Sequence, residues 1–315
     1  MKIDFGGFAP KNYSRTYDGA VHANVALSRS LNIPAVYLLK QYGYNRFHQK
    51  LKDIGVTTLN QPASHYGLSL ILGGSEGTLW DMANVYAGMA RTLNTFGRSP
   101  SEKRYAPHNY AHAVYRTVPD TPTEGTQEES KQEAEKHLGA ASIWFAFEAM
   151  LEVYRPDEDA AWKLYGSSRK IAWKTGTSFG FRDAWAIGTT KDYVVGVWVG
   201  NADGEGRPGL VGVETAAPIL FDVFDVLPNS DWFTKPFDEM QQVEICKESG
   251  HRASQNCENI ETQVIQLSGL KTKPCPYHIL THVDESETFQ VNTSCEPFVN
   301  IEQQSWFVLP PLMAF

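Results

Sequence analysis

The stretch that decides the fold of this chain is Trp173-Lys174-Thr175-Gly176-Thr177-Ser178. The apolar residues 171–173 predict a strand that enters this stretch, and residues 183–189 and 193–199 predict the next two strands. A lysine and two hydroxyls at the exit of an edge strand can face a substrate that carries a carboxylate. The flanking backbone N–H groups can point at a developing oxyanion. The stretch therefore predicts a site suited to acyl transfer.

A second polar site is Ser30-Leu31-Asn32, which interrupts a segment that is otherwise apolar at helical spacing. Because Pro34 follows, this tripeptide is predicted to lie at a break between two helices. In such a break, a hydroxyl and an amide can project into a cleft instead of bonding to their own backbone. The alternative is that the serine and the asparagine cap the helix that opens at Pro34.

Length and charge limit the classes of protein to which the chain can belong. A chain of 315 residues suits two domains, or one large domain with an appendage. The formal net charge of −8 argues against a nucleic-acid partner, which needs a concentrated basic face. The glycine-rich residues 66–78 have neither dinucleotide-binding nor Walker spacing, so no cofactor is predicted. We also find no membrane helix and no signal peptide in the sequence.

The four cysteines all lie in the last quarter of the chain: Cys246, Cys257, Cys275 and Cys295. Such clustering favours a small stapled module in an oxidising compartment. Four cysteines allow three pairings, and proximity in sequence favours the disulfides Cys246–Cys257 and Cys275–Cys295. The paired Cys-x-x-Cys spacing of a zinc ribbon is absent, so no metal site is predicted. The cysteines therefore indicate an exported protein, whereas the sequence contains no export signal, and these two observations conflict.

The remaining patterns define the domains. The predicted order is a main domain over 1–227, a linker rich in Pro, Asp and Asn over 228–239, and a β-rich appendage over 240–315. Helices of the main domain are predicted over residues 44–54, 79–93, 138–153 and 215–227.

Two further sequence features are interpreted conservatively. Residues 97–136 contain prolines and an acidic run, so we interpret them as a tolerated surface insertion. This region contains His108 and His112, which we do not interpret as a metal site. Ser167-Ser168-Arg169-Lys170 matches Ser-x-x-Lys literally. We reject Ser167 as a nucleophile because it lies beside the strand that already carries Lys174.

Taken together, the motif regions resemble the transpeptidase domain of class A penicillin-binding proteins. The matching stretches are 26–34 (ALSRSLNIP), 70–74 (LILGG), 81–87 (DMANVYA) and 174–178 (KTGTS). Three more stretches look like the penicillin-binding protein 1C branch: 181–185 (FRDAW), 275–278 (CPYH) and 306–311 (WFVLPP).

The resemblance implies an α+β fold, the penicillin-recognising serine transpeptidase fold, in which helices sandwich a five-stranded antiparallel sheet. Its implied activity is D,D-transpeptidation of peptidoglycan stem peptides in the periplasm, with β-lactams binding at the same site. Further implied partners are cell-wall assembly proteins that bind the C-terminal domain. The full-length bifunctional protein would be anchored in the bacterial inner membrane.

Roles for single residues also follow from the resemblance. Ser30 would relay a proton, Asn32 would hold the substrate amide, and Lys174 would share the proton path with Ser30. Thr175, Gly176 and Thr177 would form the substrate-binding strand. In this strand, the two hydroxyls would bind the terminal carboxylate, and the N–H of Thr177 would form half of an oxyanion hole.

The sequence departs from the family pattern where the nucleophile is expected. The Ser-x-x-Lys helix should precede Ser-x-Asn by several dozen residues, which would place it before Met1. We therefore expect the chain to be the C-terminal portion of a longer enzyme, inactive alone. A non-catalytic cell-wall scaffold that binds peptidoglycan or partner proteins is the alternative, and a soluble β-lactamase is a third.

Overall fold

The computed structural model describes residues 4–98, 104–114, 136–153, 169–311 and 313. They form two units. The first unit spans Met1–Thr16 and Ala23–Pro236, and the second spans Tyr17–His22 and Phe237–Phe315. No helix within the described ranges is long and apolar enough to cross a membrane.

The described helices of the first unit follow the apolar spacing of the sequence. They are α1 (Ala23–Ser28), α2 (Asn32–Tyr42), α3 (Tyr44–Asp53), α4 (Ala63–Tyr66), α5 (Leu79–Arg98), α6 (Ala140–Met150) and α7 (Ala217–Val226). A 3-10 helix over Gly67–Leu72 follows α4, and a π-helical turn over Gly212–Ala216 leads into α7. At the start of α5, the N–H of Asp81 donates to Thr78 Oγ1 over 3.0 Å, so Thr78 caps this helix.

The sheet of the first unit is antiparallel, with the strand order β1 (Ala172–Thr177), β2 (Asp183–Thr189) and β3 (Val194–Gly200). Lys174 pairs with Ile187 in the register of β1 and β2. The family resemblance implied five strands, whereas the described residues of this sheet contribute three. In this described part, β1 lies at the edge, as predicted.

Helices cover both faces of this sheet. Neighbouring residues of a strand point to opposite faces, and Ala172 and Trp173 accordingly belong to different apolar clusters. Ala172 packs with α5 and α6 residues such as Phe147. Trp173 packs with α7, where its ring meets that of Phe221 at a centroid distance of 5.0 Å. Lys174 alternates with Trp173 and therefore lies on the α5 and α6 face.

The predicted insertion over 97–136 includes part of the folded core. Of this region, residues 97–98, 104–114 and 136 are described, and Tyr110 is 9% exposed. A Cβ at Gly88 of α5 would lie 2.4 Å from the Tyr110 ring, so this helix and Tyr110 are in close contact. Arg91 of α5 also donates to the Asn109 carbonyl over 2.7 Å. Residues 104–114 therefore support α5 and are not a tolerated surface insertion.

Part of the predicted linker belongs to the first unit. Phe233 is 5% exposed, and its ring lies 5.4 Å from that of Phe147 in α6. Trp232 Nε1 donates to Glu148 Oε1 over 2.8 Å. The division between the two units follows Pro236, within the predicted linker 228–239.

The second unit contains two separate two-stranded antiparallel sheets within its described residues. One pairs β4 (Met240–Cys246) with β5 (Ile260–Gln266), and the other pairs β6 (His278–Val283) with β7 (Glu302–Phe307). Short 3-10 helices lie at Phe237–Glu239, Leu267–Lys271 and Phe298–Asn300. This unit has the β-rich character that the sequence predicted.

Candidate active site

Ser30 lies between α1 and α2, at the break that the sequence predicted. The N–H of Ser30 donates to the Leu27 carbonyl over 3.1 Å, and the N–H of Leu31 donates to the Ala26 carbonyl over 2.9 Å. These two bonds are the Schellman ending of a helix, in which the residue at the Ser30 position usually is glycine. Ser30 has a φ of 54°, a left-handed conformation that is uncommon for a residue with a side chain.

Lys174 of β1 reaches Ser30, although 144 positions separate the two in sequence. Its ammonium group donates a hydrogen bond to Ser30 Oγ and a second one, of 2.9 Å, to the Thr175 carbonyl. Burial lowers the pKa of Lys174 from 10.5 to about 8. The ammonium form is thus less favoured than in water, and proton exchange with a neighbouring hydroxyl becomes feasible near neutral pH.

Asn32 is the first residue of α2, and its side chain is bonded to the N-terminal lead-in. Asn32 Nδ2 donates to the Lys11 carbonyl over 2.8 Å. The adjacent Asn12 is 6% exposed, and its Oδ1 accepts the N–H of Ile33 over 3.2 Å. Asn12 thus satisfies one of the free N–H groups at the start of α2, and neither Ser30 nor Asn32 serves as a side-chain cap. The capping alternative is therefore wrong.

The side chains of the predicted substrate strand lie on both faces of β1. Because side chains alternate along a strand, those of Thr175 and Thr177 lie on the opposite face from Lys174. Thr177 is exposed, and its Oγ1 accepts the N–H of Gly212 over 3.0 Å. Gly176 is exposed too, and a Cβ at this position would lie 3.7 Å from Trp185 Cβ. The structure therefore brings Ser30 and Lys174 together and places the threonines at the exposed end of the same edge strand.

Gly212 is a supporting residue that the sequence did not indicate. A Cβ at this position would lie 2.6 Å from the Gly176 carbonyl oxygen and 2.7 Å from that of Trp185. Only glycine lets the turn before α7 approach β1 and β2 so closely. The contact joins residues that are far apart in sequence, so no local pattern signals it.

The other candidate residues lie away from this pair. Ser167 falls outside the described residues, and Lys170 Nζ lies 5.9 Å from the centroid of the Trp232 ring. A second literal Ser-x-x-Lys, Ser268 to Lys271, belongs to the second unit. His108 and His112 are exposed, and the cluster of possible metal ligands found among the described residues does not include them.

The predicted disulfides are wrong. All four cysteines are free, and Cys295 is exposed with its thiol donating to the Asn292 carbonyl over 3.3 Å. Cys246, Cys257 and Cys275 instead converge on His278. The prediction that the chain has no metal site rested on the absence of Cys-x-x-Cys, and this cluster is assembled without that spacing.

Comparison with solved structures gives the fold of the chain. The structure of penicillin-binding protein 1A from Haemophilus influenzae aligns with a TM-score of 0.58, covering 87% of this chain and 44% of that one at 17% identity. The PonA1 protein of Mycobacterium tuberculosis, solved in complex with penicillin V, aligns with a TM-score of 0.52, covering 75% of this chain and 64% of that one at 17% identity. The chain has the fold of penicillin-binding transpeptidases.

Sequence similarity gives the family. Penicillin-binding protein 1C of Escherichia coli (strain K12) is 34% identical over 223 residues, which are 70% of this chain and 25% of that protein. Penicillin-binding protein 1A of Aquifex aeolicus is 29% identical over 257 residues, 80% of this chain and 32% of that protein. No family model matches the chain. The chain belongs to the class A penicillin-binding proteins and spans about a quarter to a third of the length of these relatives.

Proposed function

We propose that this chain supplies the proton-transfer and carboxylate-binding side of a peptidoglycan D,D-transpeptidase. The observation that carries the proposal is the hydrogen bond from Lys174 Nζ to Ser30 Oγ, which joins two family motifs across the first unit. In the proposed reaction, a stem peptide ending in D-Ala-D-Ala loses its last residue. Its acyl group then passes to an amine of a second peptide.

Ser30 and Lys174 are the proposed proton-transfer pair. A general acid or base works best when its pKa lies near the working pH, and the pKa of Lys174, lowered to about 8 by burial, meets this condition. Ser30 Oγ accepts a hydrogen bond from the ammonium group, so its own proton stays available to a substrate nitrogen. Asn32 is the proposed contact for the substrate amide, and it would exchange its bond to the Lys11 carbonyl for that contact.

The exposed end of β1 is the proposed carboxylate site. Thr177 Oγ1 accepts the N–H of Gly212, so the hydroxyl proton is left to donate to an anion. Thr175, two residues earlier on the same face of β1, contributes a second hydroxyl. The N–H of Thr177 is the proposed donor to the developing oxyanion.

The chain is proposed to act as part of a longer enzyme in the periplasm, where its substrates are peptidoglycan stem peptides and β-lactams bind as inhibitors. The covalent nucleophile of this fold is a serine in a Ser-x-x-Lys motif, and positioning groups cannot replace a covalent nucleophile. We therefore expect the chain alone to be inactive. Inner-membrane anchorage and contacts of the C-terminal domain with cell-wall assembly proteins belong to the same proposal.

A chimera tests the roles of Ser30 and Lys174. The region of Escherichia coli penicillin-binding protein 1C that matches this chain is replaced by this chain, and acylation by a fluorescent penicillin is followed over time. We expect the Ser30→Ala and Lys174→Met chimeras to be acylated about 10²- to 10⁴-fold more slowly than the parent chimera, the usual contribution of general acid–base groups.

The matched control for this test is Ser28→Ala, two residues earlier. Ser28 Oγ donates to the Val25 carbonyl of its own helix over 3.3 Å, so its loss should leave the acylation rate unchanged. Acylation of the Ser30→Ala chimera at the parental rate would refute the proposed role of Ser30.

A further inference from the structure

The second unit contains a cluster of three sulfurs around one histidine nitrogen. His278 Nδ1 lies 3.5 Å from Cys246 Sγ, 3.4 Å from Cys257 Sγ and 3.5 Å from Cys275 Sγ. All four ligand atoms lie within 4.8 Å of one another. Cys246 is fully buried, while Cys275 and His278 are 5% and 7% exposed. The spacing in sequence is Cys-x10-Cys-x17-Cys-x2-His.

These distances fit one tetrahedral metal ion. Zinc bonds of about 2.3 Å to sulfur and about 2.0–2.1 Å to nitrogen place a sulfur and a nitrogen of a regular tetrahedron about 3.5–3.6 Å apart. The three observed S···N distances, 3.4–3.5 Å, match that edge. Three cysteines and one histidine form one of the usual ligand sets of structural zinc sites.

Backbone hydrogen bonds fix the segments that carry the sulfurs. The N–H of Cys246 donates to the His251 carbonyl over 2.9 Å, and the N–H of Gly250 donates to the Cys246 carbonyl over 2.8 Å. The N–H of Cys275 donates to the Arg252 carbonyl over 2.7 Å, so the segment that carries Cys275 is bonded to the turn that follows Cys246.

Side chains outside the ligand set orient the ligands. Ser249 Oγ donates to Cys275 Sγ over 3.1 Å, and the N–H of Ser254 donates to Cys257 Sγ over 3.3 Å. Glu248 Oε2 lies 3.7 Å from His278 Nε2, the ring nitrogen that faces away from the sulfurs. A carboxylate beside the second nitrogen of a histidine ligand is a common outer-shell partner in metal sites.

The described residues of this unit bury few hydrophobic side chains. Its buried hydrophobic side chains within the described residues are Met240, Ile245, Cys246, Cys275 and Val283. A two-stranded sheet is marginally stable alone, and this unit contains two such sheets. Cys246 ends β4 in one sheet, and His278 begins β6 in the other. An ion held by both residues would join the two sheets.

We propose that Cys246, Cys257, Cys275 and His278 bind one Zn²⁺ ion that holds the second unit together. Four protein ligands close the coordination sphere, so the site is structural and leaves no position for a substrate. Binding displaces the protons of the three thiols, and the metal protects these sulfurs from disulfide formation in an oxidising compartment. This proposal does not depend on the transpeptidase function of the first unit.

The test is metal analysis of the purified 315-residue chain, produced with zinc and isolated without chelators. We expect one zinc ion per chain, and near zero in the Cys257→Ser and His278→Gln variants. The matched controls are Cys295→Ser, a cysteine outside the cluster, and His282→Gln, an exposed histidine on the same strand β6. Both should retain one zinc ion.

A second measurement on the unmodified chain covers the case in which the ligand variants do not fold. Co²⁺ is exchanged for zinc, and the absorption spectrum should show a thiolate-to-cobalt charge-transfer band and the visible bands of tetrahedral Co²⁺. A purified chain without stoichiometric zinc, or one whose peptide map shows a Cys246–Cys257 disulfide, would overturn the proposal. A chain loaded with iron in place of zinc would contradict the choice of metal.

Discussion

Ser30 carries a side chain at a position where the local backbone favours glycine. Its φ of 54° and its two flanking hydrogen bonds define the end of α1, and a Cβ in this conformation costs about 1–2 kcal/mol. Strained residues of this kind are concentrated at functional sites. The strain is consistent with a hydroxyl that must lie beside Lys174.

The strain at Ser30 predicts an unusual order of stability among variants. Ser30→Gly removes the strain, whereas Ser30→Ala keeps the Cβ, so the glycine variant should be more stable than the alanine variant by about 1 kcal/mol. Chemical denaturation of the two variants measures the difference. Alanine at least as stable as glycine would show that the left-handed conformation is not maintained.

Burial of Lys174 predicts a pH-dependent cost to folding. Its pKa is about 8 in the folded chain and 10.5 in the unfolded chain, so between these values the unfolded state binds more protons, and stability rises with pH. Below pH 8, the ammonium group is charged in both states, and the full cost, on the order of 3 kcal/mol, is present.

The variant Lys174→Met should therefore be more stable than the parent chain at pH 7, by about 1–3 kcal/mol after the lost hydrogen bonds are included. This advantage should shrink between pH 8 and 10.5, because the lysine of the folded parent has lost its proton there while the unfolded chain still retains it. Urea denaturation at pH 7 and pH 10.5 gives the two values. A difference that does not change with pH would rule out the lowered pKa.

The sequence singled out Ser30 and Lys174 but not the residues that surround them. Ser30 and Lys174 stand out because a polar tripeptide interrupts an apolar helix and a lysine follows a strand. Lys11 and Asn12 support the start of α2 through one carbonyl and one side-chain oxygen. They lie in a lead-in without periodicity, and only the path of the folded chain brings them to α2.

At the scale of elements, β1 depends on the turn before α7. The turn lies so close to β1 at Gly212 that a side chain at this position would overlap the backbone of the strand. A Gly212→Ala substitution should therefore displace β1 or the turn and cost about 1–3 kcal/mol of stability, the usual cost of overpacking. Thermal unfolding of the variant measures this loss.

The matched control for that substitution is Gly176→Ala in β1. Its Cβ would meet nothing closer than Trp185 Cβ at 3.7 Å, an ordinary contact distance. Its stability should change by much less than that of Gly212→Ala. Equal losses at the two positions would mean that the close approach at Gly212 does not limit the packing.

Element positions were predictable where the apolar spacing is regular, and less so elsewhere. The helix predicted over 44–54 is α3 (Tyr44–Asp53), and β2 and β3 lie within one residue of their predicted bounds, whereas β1 (Ala172–Thr177) runs four residues past the predicted 171–173. Helix α5 (Leu79–Arg98) runs five residues past its predicted end at 93, because residues 104–114 pack along it. The residues that pack together are distant in sequence, so no local pattern predicts the contact.

At the scale of the whole molecule, the chain has two kinds of structure with different sources of stability. The first unit buries large apolar side chains such as Trp173 and Phe147 on both faces of its sheet. The described residues of the second unit include few buried apolar side chains and a cluster of possible metal-ligand atoms. The clustering of the cysteines in sequence predicted disulfides, which are absent, because three of the sulfurs lie around His278. The spacing of the cysteines could not show this arrangement, since separate segments of the chain assemble it.

The whole molecule also determines what the chain can do alone. The proposed function gives its folded site a proton-transfer pair and an anion-binding strand end, whereas the resemblance to the family also implies a covalent serine in Ser-x-x-Lys. We propose that this chain provides the former without the latter.

Intact-mass spectrometry of the purified chain after incubation with a penicillin is the direct test of that proposal. We expect the mass of the denatured protein to stay the same, because neither Ser30 nor Lys174 forms the covalent adduct. A mass increase equal to one penicillin would contradict the proposal and would show that a serine of this chain is the nucleophile. Peptide mapping, with Ser167 examined first, would then identify that serine.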